Sequence, residues 1–274
     1  FYGTATLTLT TTGGCTPIAT SKTLVVNQSP DVLQLSTINL GICANDIGSI
    51  SVSNHTATTM SSGAINLGIP NYNAAGVTHT LSVAGIPSGA IINSVKVTLN
   101  ISHNKVSDLI LNLKAPNGKI INLFNRVGST GANFVNTEVS SIGTTAFSSS
   151  SAPFTGTFAA DAISAVGATG LLSNTTVFNT LFSTPNGGWI LVARDAAASN
   201  TGSITSWSIE IDWTEPLVWS PSTNLFTDAL ATIPYTGQSL STVYVKGTTA
   251  STTTYTVTAT GANGCTRSAN STVE

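Results

Sequence analysis

The 274-residue sequence has very few charges, which make up 7% of the chain against roughly 25% in ordinary globular proteins. With a formal net charge of −2, it lacks the basic surface that neutralises phosphates, so we expect no nucleic-acid partner. Its longest apolar runs, such as LILNL and GWILVA, are far shorter than the roughly 20 residues that span a bilayer, so we expect no membrane insertion.

Strand patterns dominate the chain from end to end. Segments that alternate at period two and are rich in Thr, Val, Ile and aromatic residues are, in order, TATLTLT, KTLVV, SVKVTLNIS, LILNLKA, WILVARD, SWSIEIDW, TVYVKG and TYTVTAT. The turn signals PNG, TPNGG and SNTG lie between them. Only residues 159–166, AADAISAV, predict a short helical turn. The sequence therefore predicts an all-β protein of the sandwich or jelly-roll kind.

The two ends of the chain carry the same motif. TLTLTTTGGCT at the start aligns with TVTATGANGCT at the end when Cys15 is placed on Cys265, 250 residues later. Because a fixed spacing between similar segments is the mark of repeated modules, we predict that residues 1–27 are the last two strands of a preceding module. The chain would then be one segment of a tandem array of modules.

The next segment predicts the start of a second module that is interrupted. Residues 28–56 contain Cys43 near the start of a strand, but the tryptophan that an immunoglobulin-type sandwich buries appears only at Trp219. Insertions are tolerated at loop tips, and domain termini often lie close together. We therefore predict a module formed by residues 28–56 plus 214–274, with a second domain, 57–213, inserted into it.

The flanking pieces resemble the Ig-like repeats of giant surface proteins of Bacteroidetes-type bacteria. Those repeats carry IC in an early strand, WSP in the middle and TTYTVTAT..GC near the end, and all three motifs occur here. The resemblance implies a secreted cell-surface array exported through a type IX system. It also implies a disulfide between Cys43 and Cys265, with Cys15 joined to an upstream cysteine; a link between Cys15 and Cys43 is the alternative.

The insert resembles the P domain, or homo B domain, of proprotein convertases, which implies a jelly-roll sandwich. The positions that carry this resemblance are Val95, Val97, His103, Asp108, Leu109, Pro116, Gly118, Gly188, Trp189, Leu191, Asp195, Gly202, Ile204 and Trp207. Val106 and Ser107 replace a basic-Gly pair of the family, which puts any ligand contact of that basic residue in doubt. Ile204 replaces a leucine. We interpret Trp189 and Trp207 as core residues, since each alternates with an aliphatic residue.

P domains accompany subtilisin-like proteases, so catalysis has to be considered. The three histidines, His55, His79 and His103, lie outside the Gly-rich settings of a protease triad, and the chain has no His-Glu-x-x-His motif. We interpret the chain as non-catalytic and predict that His103 is a hydrogen-bonded structural imidazole. The resemblance makes Asp108, Asp161 and Asp195 candidate calcium ligands, because calcium requires several oxygen ligands. The alternative is that these carboxylates cap turns.

Three functions follow from these patterns. The first is a structural or adhesive segment of a large bacterial surface protein, whose partners are neighbouring modules or other copies in a filament. The second is a carbohydrate-binding module that uses exposed aromatic side chains for surface glycans, and its candidates are Tyr72, Phe134, Phe154 and Phe158. The third is an accessory P domain of a protease encoded elsewhere in a longer chain.

Overall fold

The computed structural model of the chain describes residues 3–10, 19–26, 29–161, 175–248 and 250–274. Helical structure in these residues is limited to 3-10 turns at Val106–Asp108, Phe147–Ser149 and Phe178–Leu181, and the remainder is strand and loop. The all-β prediction is confirmed. Cys15 and most of the predicted helical turn lie outside the described residues. No helix in the described part has the length and apolarity needed to cross a bilayer.

The strands are, in chain order, β1 (Gly3–Thr10), β2 (Ala19–Val26), β3 (Asn39–Leu40), β4 (Ile47–Ser51), β5 (Thr56–Ser61), β6 (Leu67–Ile69), β7 (Val77–Val83), β8 (Ile91–His103), β9 (Leu109–Lys114), β10 (Ile120–Asn125), β11 (Phe134–Ser140), β12 (Phe154–Phe158), β13 (Gly187–Asp195), β14 (Gly202–Thr214), β15 (Leu217–Ser220), β16 (Leu225–Phe226), β17 (Thr242–Lys246), β18 (Thr253–Thr260) and β19 (Thr266–Val273). Contacts within the chain divide it into two compact units. The first unit comprises residues 1–55, 87–91 and 214–274, and the second comprises residues 56–86 and 92–213.

The second unit is a sandwich of two sheets. Among the described residues, one sheet has the order β10-β9-β13-β7, and the other has the order β12-β11-β8-β14-β5 with β6 paired to β14. The sheets pack face to face: the buried Trp207 indole on β14 donates to Nδ1 of His79 on β7 at 3.0 Å. At the other end, the rings of Phe124 on β10 and Phe134 on β11 meet edge to face, with centroids 4.9 Å apart.

The first unit contains a smaller sandwich. Its sheets, within the described ranges, have the orders β15-β18-β19-β3 and β16-β17-β4. The core between them consists of Leu33, Ile50, Val52, Leu217, Trp219, Leu225, Tyr235, Val243, Val245, Tyr255, Val257, Ala259 and Val273. The indole of Trp219 donates to the carbonyl oxygen of Leu240 at 2.9 Å, which satisfies its only polar group inside this core.

A separate hairpin, β1–β2, also belongs to the first unit. Its register pairs Gly3 with Val26 and Thr10 with Ala19, and these two strands form a sheet of their own. One face carries Leu7 and Leu9, which are 61% and 69% exposed. A two-stranded hairpin whose apolar side chains remain exposed is marginally stable by itself.

Candidate functional site

The motif residues of the insert converge where three strands of the second unit begin or end. β8 ends at His103, the 3-10 turn Val106–Asp108 leads into β9, and β13 ends at Asp195. Antiparallel pairing of β9 and β13 places Asp195 opposite Leu109, so Asp108 and Asp195 lie at the same end of this strand pair. We call His103, Lys105, Asp108, Asp195 and Asn200 the His103 cluster.

His103 links two segments that are far apart in sequence. Its Nε2 lies 3.3 Å from Oδ2 of Asp195, and both side chains are fully enclosed. Its Nδ1 lies 3.2 Å from the backbone nitrogen of Lys105 and 2.9 Å from the carbonyl oxygen of the same residue. Nδ1 can take either role toward Lys105: it accepts from the backbone N–H when it carries no proton, and it donates to the carbonyl oxygen when it does. The ring therefore fixes the loop before Asp108.

The two carboxylates of the cluster face donors. Asp108 accepts from the Asn200 side-chain amide on Oδ2 at 2.8 Å, and its Oδ1 lies 3.1 Å from Nζ of Lys105. Asp195 accepts from the Ala197 backbone N–H on Oδ1 at 3.0 Å. The backbone N–H of Ala196 donates to the Asp108 carbonyl oxygen at 2.7 Å. These bonds join the start of β9 to the loop that follows β13.

Gly202 brings the first residue of β14 against the end of β8. A Cβ atom at this position would overlap the carbonyl oxygen of Ser102 and approach the His103 ring carbon Cδ2 to 2.5 Å. Only glycine permits this close approach of the backbone to the imidazole. The motif glycine is therefore a packing requirement of the His103 cluster.

The Pro116–Gly118 motif forms the turn between β9 and β10. The Gly118 N–H donates to the carbonyl oxygen of Ala115 at 2.9 Å, and Gly118 has a φ of 81°. A residue with a side chain is strained at such an angle, so glycine suits the position.

The candidate calcium ligands do not form one site. The described residues contain no group of three or more His, Cys, Asp or Glu side chains that could hold a metal ion. The oxygens of Asp108 and Asp195 face N–H donors and an ammonium group, whereas the backbone N–H of Asp161 bonds to Leu123 on β10. Asp108 and Asp195 therefore tie down loops through these bonds, and calcium binding by the three aspartates stays a prediction.

The predicted disulfide between Cys43 and Cys265 is wrong for this structure, in which both cysteines are free. Cys265 immediately precedes β19, whereas Cys43 follows Ile42, whose N–H donates to the carbonyl oxygen of Glu274 just beyond the other end of β19. At about 3.3 Å per strand residue, the length of β19 separates them by roughly 25 Å. A disulfide requires Cα atoms within about 7 Å.

The aromatic residues proposed as a glycan platform are mostly buried, so that prediction is also corrected. Phe134, Phe154 and Phe158 are at most 3% exposed and pack edge to face or stacked around Phe147. Only Tyr72 of the four is exposed, at 72%. Buried rings cannot stack on a sugar, because stacking requires an accessible face. Trp189 and Trp207 are likewise buried, at 0% and 1% exposure.

Sequence reasoning missed a groove beside the His103 cluster. It has a volume of about 410 Å³ and is lined by Tyr72, Asn73, Ala74, Ile110, Arg194, Asp195 and Ala196. Arg194 is 7% exposed, and burial lowers the pKa of its guanidinium. A cation directly after the apolar run WILVA, within a chain of so few charges, was the signal that could have indicated it.

Comparison with known proteins identifies this region. Residues 92–159 match the family model of the proprotein convertase P-domain. These residues are similar to a P domain, as the sequence predicts, and we call the second unit the P domain. The match covers the region from β8 to the residue after β12, including the histidine and the first aspartate of the His103 cluster.

A curated protein and two solved structures match parts of the chain. The chain is 28% identical over 144 residues to Leupeptin-inactivating enzyme 1 of Streptomyces exfoliatus, a match that covers 53% of this chain and 24% of that protein. Among solved structures, the Aeromonas sobria serine protease in complex with its chaperone matches 63% of this chain and 28% of its own, at a TM-score of 0.34 and 13% identity. The same protease alone gives a TM-score of 0.32. The chain thus spans about a quarter of the length of these relatives.

Proposed function

We propose that the chain is a non-catalytic structural segment of a large bacterial cell-surface protein. In this proposal Ig-like modules follow one another along the surface protein, and one of them, residues 28–56 plus 214–274, carries the P domain as an insertion at 57–213. The P domain then serves as a contact element of the array. The division of the chain into two compact units supports these boundaries, since the second unit comprises residues 56–86 and 92–213.

The observation that carries the proposal is a difference in burial between two matching hairpins. At the 250-residue spacing, Leu7 and Leu9 of β1 correspond to Val257 and Ala259 of β18. Val257 and Ala259 are completely buried in the core of the first unit, whereas Leu7 and Leu9 are 61% and 69% exposed. A strand pair with the same pattern but no core to cover it is expected of the last two strands of another module.

The geometry of the His103 cluster favours a structural role for the P domain. A general base must reach a proton of the substrate, but His103 and Asp195 have completely enclosed side chains that bond to each other and to the backbone. The cell-surface location rests on a composition poor in charge and on the predicted kinship with surface repeats. Hydroxyl and amide side chains would provide many weak contacts between neighbouring chains without charge repulsion.

A second candidate is an accessory P domain of a protease encoded in the same longer protein. The likeness of 144 residues to Leupeptin-inactivating enzyme 1 favours it. In that case the P domain would stabilise a catalytic domain that lies outside residues 1–274. The two candidates differ in what the P domain contacts.

Two measurements on the native protein test the proposal. Antibodies against the P domain should label intact cells, and brief protease treatment of those cells should remove the label. The purified native protein should not hydrolyse casein or a panel of short chromogenic peptides. Labelling only after cell lysis would contradict the surface location, and hydrolysis abolished by a serine-protease inhibitor would favour the second candidate.

A further inference from the structure

We propose that successive Ig-like modules are joined by disulfides between modules, in which Cys43 of one module bonds to the cysteine of the following module that matches Cys265. The inference rests on the proposed tandem array. It replaces the pairing within one module that the structure contradicts, and it gives each free thiol a partner of defined position.

The two thiols lie at the two ends through which an array would continue. At one end, the turn before Cys265 lies beside the start of the module, since a Cβ atom on Gly261 would be 3.7 Å from the Pro30 ring. At the other end, Glu274 pairs with the segment before Cys43: the Ile42 N–H donates to the Glu274 carbonyl oxygen at 3.0 Å, and the Glu274 N–H donates to the Leu40 carbonyl oxygen at 2.9 Å. The trailing end of one module would therefore meet the Cys265 end of the next.

Cys43 borders a groove at the trailing end of the module. The groove has a volume of about 360 Å³, and its walls include Ile42, Val245, Tyr255 and Val273. Most of its lining surface is apolar, and Cys43 is exposed at its edge. An exposed thiol beside an apolar recess is accessible to a partner that fills the recess.

The turn that carries Cys265 has a shape suited to enter this groove. It connects β18 to β19 with Gly261, Ala262, Asn263 and Gly264, so no large side chain projects from its tip. The turn is held by a bond from the Gly264 N–H to the Gly261 carbonyl oxygen at 2.9 Å. The Cys265 N–H donates to the side chain of Asn263 at 3.0 Å, which fixes the backbone that presents the thiol. We therefore commit to one occupant of the groove, the matching turn of the following module.

The bond forms by thiol–disulfide exchange with a disulfide donor, either an oxidoreductase or a small disulfide such as oxidised glutathione. The Cys43 thiolate attacks the donor disulfide and releases one donor thiol. The thiolate of the following module then attacks the Cys43 sulfur and releases the second donor thiol. The two module thiols lose two protons and two electrons, and the donor is reduced to two thiols. The sulfur of Cys265 would bond in the same way to the preceding module.

A tandem chain tests the proposal directly. Residues 25–274 are appended after Glu274, which preserves the 250-residue spacing of the matching cysteines. The purified tandem chain is oxidised with glutathione, its remaining thiols are blocked with N-ethylmaleimide, and its peptides are mapped without reduction. The same mapping is done on the native protein. We expect a peptide pair that joins Cys43 of the first copy to Cys265 of the second.

Two variants make the result specific. Cys43→Ser in the first copy should abolish the link and leave Cys265 of the second copy reactive, whereas Cys43→Ser in the second copy should leave the link intact. Two free thiols at the junction of a folded tandem chain, or a link within one copy, would overturn the inference. A tandem chain whose melting temperature is well below that of the single chain would instead contradict the tandem array itself. This outcome differs from a folded tandem chain that lacks the disulfide, so the two failures are distinguishable.

Discussion

Nε2 of His103 lies 3.3 Å from Oδ2 of Asp195, although 92 residues separate them in the sequence. Neither side chain is exposed to solvent. The contact fastens the end of β8 to the end of β13, which belong to the two facing sheets of the P domain. The pair is therefore a latch between the sheets, and this interpretation can be tested by breaking it.

His103→Ala should lower the free energy of unfolding of the P domain by about 3 kcal/mol, because Oδ2 of the buried Asp195 carboxylate loses the ring N–H beside it. Asp195→Asn should cost less, since the amide retains an acceptor oxygen for the N–H groups around it. Urea unfolding followed by tryptophan fluorescence measures both. Ile142→Ala is a suitable control, because that side chain is 72% exposed. Equal stability of the His103→Ala variant and the parent chain would contradict the latch.

Gly202→Ala should destabilise the P domain by about 2 kcal/mol, the usual effect of forcing extra atoms into a packed site. The new methyl group would overlap the Ser102 carbonyl and press on the His103 ring. Gly68→Ala is the matched control: it lies in β6, which pairs with the same strand β14, and a Cβ there has no atom within 4 Å. Thermal unfolding should separate the two variants. If the Gly202→Ala and Gly68→Ala variants have the same melting temperature, the close approach at Gly202 is not required.

Glu215→Gln should raise the melting temperature at neutral pH. Burial, with the carboxylate of Asp31 nearby, raises the pKa of Glu215, and its Oε2 has no hydrogen-bond partner among the described residues. The folded chain therefore holds the Glu215 proton more tightly than the unfolded chain does. The contribution of the protonated Glu215 to the free energy of unfolding is fully present below the unfolded pKa of about 4.3, and it is lost as pH rises through the folded pKa.

The advantage of the Glu215→Gln variant should therefore grow from pH 4 to pH 7 and be small below pH 4. Melting curves across this range measure it, with Asp46→Asn in an exposed loop as the control for removing one negative charge. A variant that loses stability at neutral pH would show that the ionised carboxylate is stabilising.

Calcium should leave the melting temperature of the P domain unchanged. A ligand that binds the native state must raise its stability, and the oxygens of Asp108 and Asp195 already face donors. Melting curves in 5 mM calcium chloride and in EDTA compare the two states. A melting temperature that is higher in calcium than in EDTA, with the difference removed by Asp108→Asn, would support the calcium prediction. It would also show that Lys105 moves away from the carboxylate.

The sequence predicted the fold class and the P domain because both depend on regular patterns. Period-two alternation marks strands, and the spaced motif from Val95 to Trp207 marks the family. The glycan aromatics failed for a different reason. Phe154 and Phe158 are buried because β12 pairs in parallel with β11 and Phe147 covers the rings, and neither contact has a local signal in the sequence.

The cysteines illustrate the same limit. Their spacing is compatible with a pair within one module, and only the three-dimensional arrangement shows that β19 separates them. Lys105 and Asn200, which complete the His103 cluster, come from loops whose convergence depends on the register of β9 and β13. Long-range register cannot be derived from local alternation.

The most direct test of the account removes residues 1–26 and compares the melting temperature of the shortened chain with that of the complete chain. If the β1–β2 hairpin belongs to a preceding module, we expect the same melting temperature within about 1 °C. The shortened chain should also self-associate less, because it lacks the exposed Leu7 and Leu9. A melting temperature lower by about 5 °C, the change that roughly 1 kcal/mol produces in a domain of this size, would contradict the account.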